Sequence, residues 1–367
     1  MVQKQYEEIL AYHASWIVVN CVQGCPFSCA YCFLKPLGLN KTKPEVLCAP
    51  KKAIQNLLKN PLYDTQTPIC LLTSTDPFAN TTVIKHLEGL LEELVLQNIP
   101  NTICLVTKKE IPDHMIKKLS QIKNIVVYLS YSGLNETFEK GITHSHILIN
   151  FKKLYNANIK CIHYWRPILP QNSDIKTLES VLKNVMPYSK ASVIAGLKVC
   201  DNMLPFINFW PEAIKHFKLY PQAECFWPIE ALKNIKIIAK KHNYPVLPNN
   251  ICALSIINSD PNKMGFYCSS CSKIGYCTQM QKDICHSYSA KMDYSNQNIS
   301  KQLEKLKINM QYKYAPRTKT ITFIGKDKIP AITVAKIRRN TNCSVEVTTQ
   351  KDTKFNSSIT NSKPVEI

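Results

Sequence analysis

A chain of 367 residues, 45% apolar and 20% charged, can bury a substantial core without disulfides, and it carries no apolar run of the roughly 18 residues that would mark a membrane-spanning helix. Its opening, MVQKQYEEIL, is polar where a secretory signal would be basic and then apolar, so a cytoplasmic setting is expected, and its 16 cysteines point to metal or catalysis rather than a disulfide framework. The formal net charge of +20 favours a polyanionic partner such as DNA or RNA, although the enrichment in Lys, Asn and Ile runs through the whole chain and weakens that inference.

In chain order, the first β-branched run, Trp16–Asn20, reads as a strand that leads directly into NCVQGCPFSCAYCFL, residues 20–34. Further strand-like runs follow at Ile69–Thr73, Thr102–Thr107, Ile125–Ser130, Ile159–Trp165, Ala191–Val199 and Pro245–Leu247. Between them, segments with apolar residues recurring at three and four predict helices at Lys51–Lys59, Val83–Gln97, Pro112–Gln121, Thr143–Ala157 and Ile175–Val185. Alternating strands and helices build a parallel sheet. The expected fold is therefore α/β, a partial (β/α)6 barrel of the TIM type over residues 1–250, with its chemistry at the C-terminal ends of the strands.

Residues 251–295 break this rhythm. They are dense in cysteine and poor in periodic apolar residues, so ligation of a metal is expected to order them. Residues 296–367 predict a small basic α+β domain: a helix near Ser300–Met310, strands at Thr318–Ile324 and Ser344–Thr349, and between those strands a basic helix containing Lys336, Arg338 and Arg339. Residues 301–367 hold 14 Lys and Arg against 5 Asp and Glu, which makes this region the expected nucleic-acid contact.

Cys25, Cys29 and Cys32 stand in the spacing C-x3-C-x2-C. Thiolates are soft ligands suited to iron–sulfur clusters, and three of them leave one iron of a [4Fe–4S] cube open. The amino and carboxylate groups of S-adenosylmethionine (SAM) can chelate that iron, which brings the sulfonium within reach of electron transfer. A structural zinc site is the alternative and requires a fourth ligand, for which Cys21 is available.

With Tyr31 before the last cysteine, this loop resembles the signature of the radical SAM superfamily, and the resemblance extends over about residues 15–250. It implies reductive cleavage of SAM to a 5′-deoxyadenosyl radical that abstracts hydrogen from a substrate, with Tyr31 beside the cofactor. LLTSTDPFANTT, residues 71–82, departs from the Gly-Gly-Glu of many members; its Ser74, Thr75 and Asp76 resemble the spore photoproduct lyase branch, and Asp76 would accept a hydrogen bond from the SAM ammonium. The competing reading is that Thr-Asp-Pro caps the following helix. By the same resemblance Lys108 would meet the SAM carboxylate, Ser130 or Ser132 the ribose, and Arg166 a carboxylate or a substrate anion. Gly196 would let adenine approach the backbone, and Tyr131 and Cys200 are hydrogen-donor candidates by position.

Cys268, Cys271, Cys277 and Cys285 read C-x2-C-x5-C-x7-C, of which the first three resemble the SPASM or twitch extension that carries auxiliary clusters. The longer last interval leaves Cys252 competing with Cys285 as fourth ligand, and a four-thiolate zinc knuckle remains the alternative metal. Three functions follow as expectations. The first is a radical SAM enzyme that modifies or repairs nucleic acid, served by a one-electron reductant such as flavodoxin or ferredoxin. The second is a radical SAM maturase of peptides or proteins, and the third a non-catalytic, zinc-stabilised nucleic-acid-binding protein.

Overall fold

A computed structural model describes residues 9–41, 43–219, 225–261, 275–325, 329–348, 354–355 and 365–366. Its largest feature is a mixed sheet. Six strands run parallel in chain order: β2 (Ile17–Val19), β6 (Ile69–Leu71), β7 (Ile103–Thr107), β8 (Ile125–Leu129), β10 (Lys160–Ile168) and β11 (Ser192–Lys198). At one edge β1 (Leu10–Tyr12) pairs antiparallel with β2. At the other, the two ends of β11 take different partners: β13 (Val246–Leu247) runs parallel to its start, and β12 (Cys225–Trp227) antiparallel to its end. A last short strand, β18 (Val365–Glu366), lies beside β12.

Strands covered on both faces need apolar residues at every position, and β2, β6 and β8 are buried throughout. The two faces separate by alternation. Ile17, Val19, Ile69, Leu71, Ile103, Leu105, Val127 and Leu129 meet the helices, α1 (Pro50–Lys59), α2 (Thr81–Leu96), α3 (Asp113–Ser120), α4 (His144–Asn156), α5 (Ile175–Val185) and α7 (Ala231–Lys241). Val18, Cys70, Cys104, Val126, Tyr128, Ile162, Tyr164 and Val193 form the opposite face. That face is covered by α8 (Asn250–Asn258), through Cys252, Ala253, Leu254 and Ile257. This helix was expected to be irregular. Its segment, NICALSIIN, is buried on most sides, so its apolar residues show no stripe at the helical period.

The C-terminal region folds around a separate core of Ile299, Leu303, Ile321, Phe323, Val334, Ile337, Val345 and Val347. Its sheet runs β14 (Tyr312–Ala315), β15 (Thr320–Ile324), β16 (Ser344–Thr348), β17 (Lys354–Phe355), with β15 and β16 parallel across the helix Ala331–Thr341. The preceding helix begins earlier than the apolar pattern predicts, at Asn296, because the Ser295 hydroxyl accepts the Asn298 N–H at 3.2 Å.

The basic helix turns its expected contact residues inward. Lys336 Nζ donates to the Leu62 carbonyl at 2.7 Å and lies 3.2 Å from Asp64, while Arg339 reaches Asp64 at 3.0 Å and the Thr67 hydroxyl at 2.9 Å. Arg338 is buried. Lys336 and Arg339 fasten the C-terminal unit to the 60–67 connection. Among the described residues no helix is long and apolar enough to cross a membrane.

Candidate functional site

The cysteine loop leaves the C-terminal end of β2 and is tied to three distant segments. Gly24, at φ +96°, donates its N–H to the Ser74 carbonyl at 2.9 Å, and Cys25 donates to the Leu39 carbonyl at 2.9 Å. Farther on, β4 (Ser28–Cys29) pairs with β9 (Glu139–Lys140) so that Cys29 lies opposite Glu139, and Ala30 N–H donates to the Phe138 carbonyl at 2.7 Å. A loop without regular structure of its own is thereby given a fixed course.

Cys29 is buried, and Cys25 and Cys32 are partly exposed. Burial pushes all three thiols up, Cys29 to about 12, and negative charge on Cys29 or Cys32 raises Cys25 further. Nearby Lys108 acts the other way on Cys29 and Cys32. Among the described residues no group of three or more Cys, His, Asp or Glu side chains is drawn together closely enough to hold a single metal ion.

Beside the triad lies a carboxylate that no sequence pattern singles out. Glu139 is fully buried. One oxygen accepts from Lys108 Nζ at 2.6 Å and from the Tyr31 hydroxyl; the other accepts from the Ser132 hydroxyl at 2.9 Å and faces His144 Nε2 at 2.6 Å. Burial alone would raise its pKa, but the Lys108 charge and the hydrogen bonds from His144, Lys108 and Tyr31 hold it at about 2. One of two glutamates in NETFEKGIT, it has no spacing or periodicity to mark it.

The remaining expected residues fall into two groups. Asp76 is buried and already served by protein donors: Phe78 N–H at 3.0 Å and the Thr107 hydroxyl at 2.8 Å on one oxygen, Lys108 N–H at 2.7 Å on the other. It does not cap α2, whose N-cap is Asn80, accepting Val83 N–H at 3.0 Å. Leu72, at φ +58°, swings the chain out of β6 into this loop. Two buried polar atoms here lack a partner, the Thr75 hydroxyl and Asn20 Nδ2, and Asn20 directs its other amide atom to Ser74 N–H at 3.3 Å.

Alternation along β7, β8 and β10 puts Lys108, Ser130 and Arg166 on the face of Val106, Tyr128 and Tyr164, each one step past the apolar layer. Lys108 Nζ lies 3.5 Å from the Ser130 carbonyl. Arg166 stacks 4.5 Å over the Tyr164 ring and donates to its hydroxyl at 2.7 Å; it has no carboxylate partner among the described residues. Tyr131 packs edge-on against His144 in the helix-side core. At Gly196 the close approach is made by β12: a side chain there would strike the Phe226 carbonyl at 2.1 Å and the Trp227 ring at 3.0 Å. The strand pairing therefore requires this glycine without any adenine.

Of the second cysteine group, Cys268 and Cys271 lie outside the described residues. Cys277 is buried in the same cluster as Cys252, and negative charge on Cys285 raises its pKa.

Among solved structures, spore photoproduct lyase complexed with dinucleoside spore photoproduct aligns over 53% of this chain and 61% of its own, at 15% identity and a TM-score of 0.44. SuiB from Streptococcus suis bound to S-adenosylmethionine aligns over 60% of this chain and 51% of its own, at 12% identity and 0.41. SuiB bound to precursor peptide SuiA gives 61%, 50%, 13% and 0.40. The chain therefore spans less than two thirds of the length of each, and likeness at this level assigns neither activity nor substrate. No known family pattern and no curated protein sequence matches the chain.

Proposed function

We propose that this protein is a radical SAM enzyme in which Cys25, Cys29 and Cys32 hold a [4Fe–4S] cluster and SAM occupies the adjoining ends of β6, β7, β8 and β10. The observation that carries the reading is the cysteine loop itself. Three thiols in C-x3-C-x2-C spacing follow the end of a strand of the parallel sheet, beside a lysine. The fit to a bound cosubstrate rests on the unpartnered Thr75 hydroxyl and Asn20 Nδ2, since a buried polar atom without a partner costs about 1–3 kcal/mol unless a ligand serves it.

When bound, the cluster supplies the electron that cleaves SAM to a 5′-deoxyadenosyl radical, which takes a hydrogen atom from the substrate. The chain's own residues hold and orient. Arg166 offers a planar cation with no carboxylate of its own, suited to the SAM carboxylate. Lys108, already paired with Glu139, fixes the edge of the pocket next to Tyr31. Asp76 braces the β6 loop against β7 through Thr107 and Lys108 and so keeps Thr75 in position. Helix α8 covers the apolar layer of the face on which Lys108, Ser130 and Arg166 lie and keeps water from it.

Nucleic acid is the substrate class that the net charge of +20 favours. The peptide-maturase reading is kept for one observation, the SPASM-like spacing of Cys268, Cys271 and Cys277. Metal analysis after anaerobic purification tests the reading. Iron and acid-labile sulfide, lost in Cys29→Ala, are expected at the triad. Zinc without iron would instead support a non-catalytic metal-stabilised protein.

A further inference from the structure

The ion pair beside the triad is unusual in its placement. Glu139 sits opposite Cys29 in a two-strand ladder, fully buried, and its partner Lys108 has a side chain only 16% exposed. The two charges act on Cys29 with opposite sign. Away from water such charges are weakly screened, so each exerts an effect that a surface lysine or glutamate would not. Four donors converge on the carboxylate, far more than the β4–β9 pairing requires, and through them Glu139 fixes where both the Lys108 ammonium and the Tyr31 hydroxyl lie.

We infer that Glu139 is a positioning residue that, with Lys108, sets the electron affinity of the redox centre held by the cysteine loop. The inference rests on the iron–sulfur reading above. Adding an electron makes such a centre more negative, so a nearby cation favours the reduced form and a nearby anion the oxidised form. The paired charges are opposite in sign, and removal of either leaves the other uncompensated beside the cysteine loop.

The test is an EPR-monitored redox titration of reconstituted full-length protein without SAM, for wild type, Glu139→Gln, Lys108→Met and the double variant. Glu139→Gln is expected to move the midpoint potential to less negative values and Lys108→Met to more negative values. The double variant should return toward wild type. A general loosening of the loop would move every variant in one direction, so opposite signs separate this role from a merely structural one. Intact clusters with unshifted potentials, or shifts of the same sign, would overturn the inference and leave the iron–sulfur reading standing. A wild-type protein that takes up no iron and sulfide would overturn both. If Glu139→Gln fails to fold, Lys108→Arg, which keeps the cation, is expected to hold the potential near wild type where Lys108→Met lowers it, and equal shifts in both would overturn the inference.

Discussion

His163 is buried in the helix-side layer, its Nε2–H donating to the Tyr131 carbonyl at 2.8 Å and its Nδ1 accepting from the Ser192 hydroxyl at 2.7 Å. Burial lowers its pKa from 6.5 to about 3, so the folded state keeps it neutral while the unfolded chain takes up a proton below about pH 6.5. The stabilisation is complete above that pH and is lost as pH falls toward 3, by about 1.4 kcal/mol per pH unit. Urea unfolding at pH 7 and pH 5 should show this loss, and a His163→Gln variant should show a smaller one. Arg166 gives a second test at this scale. Arg166→Met is expected to weaken SAM binding about tenfold in equilibrium dialysis, about 1.4 kcal/mol, with Lys restoring little because it lacks the planar fork. Unchanged affinity would remove Arg166 from the pocket. The placement of Lys108, Ser130 and Arg166 at or near strand ends was legible in the sequence, because each follows or closes an apolar strand-like run. Asn20 and Glu139 were not, since their roles depend on segments that only the fold brings together: Asn20 on a loop 54 residues away, Glu139 on partners up to 108 residues distant.

Among the elements, the strands were the most readable, because runs such as IVV, ICL and IVVYL admit little but a sheet covered on both sides. Helix α8 was not readable, for want of a polar face. The basic helix at Ala331–Thr341 was seen, yet composition alone cannot say which way a charge points. Its contact with Asp64 yields a pH-dependent prediction. Burial would raise the Asp64 pKa, but hydrogen bonds from Thr67 and the Arg339 charge hold it below the ordinary carboxylate value. That stabilisation is present above about pH 4 and lost as pH falls through the lowered folded value. Asp64→Asn should destabilise the full chain by about 1–2 kcal/mol in urea at pH 7 and flatten the acid limb of its stability profile. An unchanged midpoint would mean that this docking contributes nothing measurable.

For the whole molecule, the distribution of charge matters more than its sum. Lys336 and Arg339 serve the internal seam and Arg338 is buried, whereas Lys313 and Arg317 on the same C-terminal unit are exposed. If a nucleic acid is the substrate, Lys313→Ala and Arg317→Ala should each reduce the slope of log affinity against log salt by about 1. Lys336→Ala should lower stability and leave that slope unchanged. Elution of the protein from heparin at low salt would contradict the nucleic-acid assignment without touching the redox chemistry. The central claim, that Cys25, Cys29 and Cys32 support cleavage of SAM, is tested most directly by incubating anaerobically reconstituted protein with SAM and dithionite and measuring 5′-deoxyadenosine. The nucleoside is expected from wild type and absent from Cys29→Ala; equal amounts from both, or none from a wild type that carries its full complement of iron and sulfide, would contradict it.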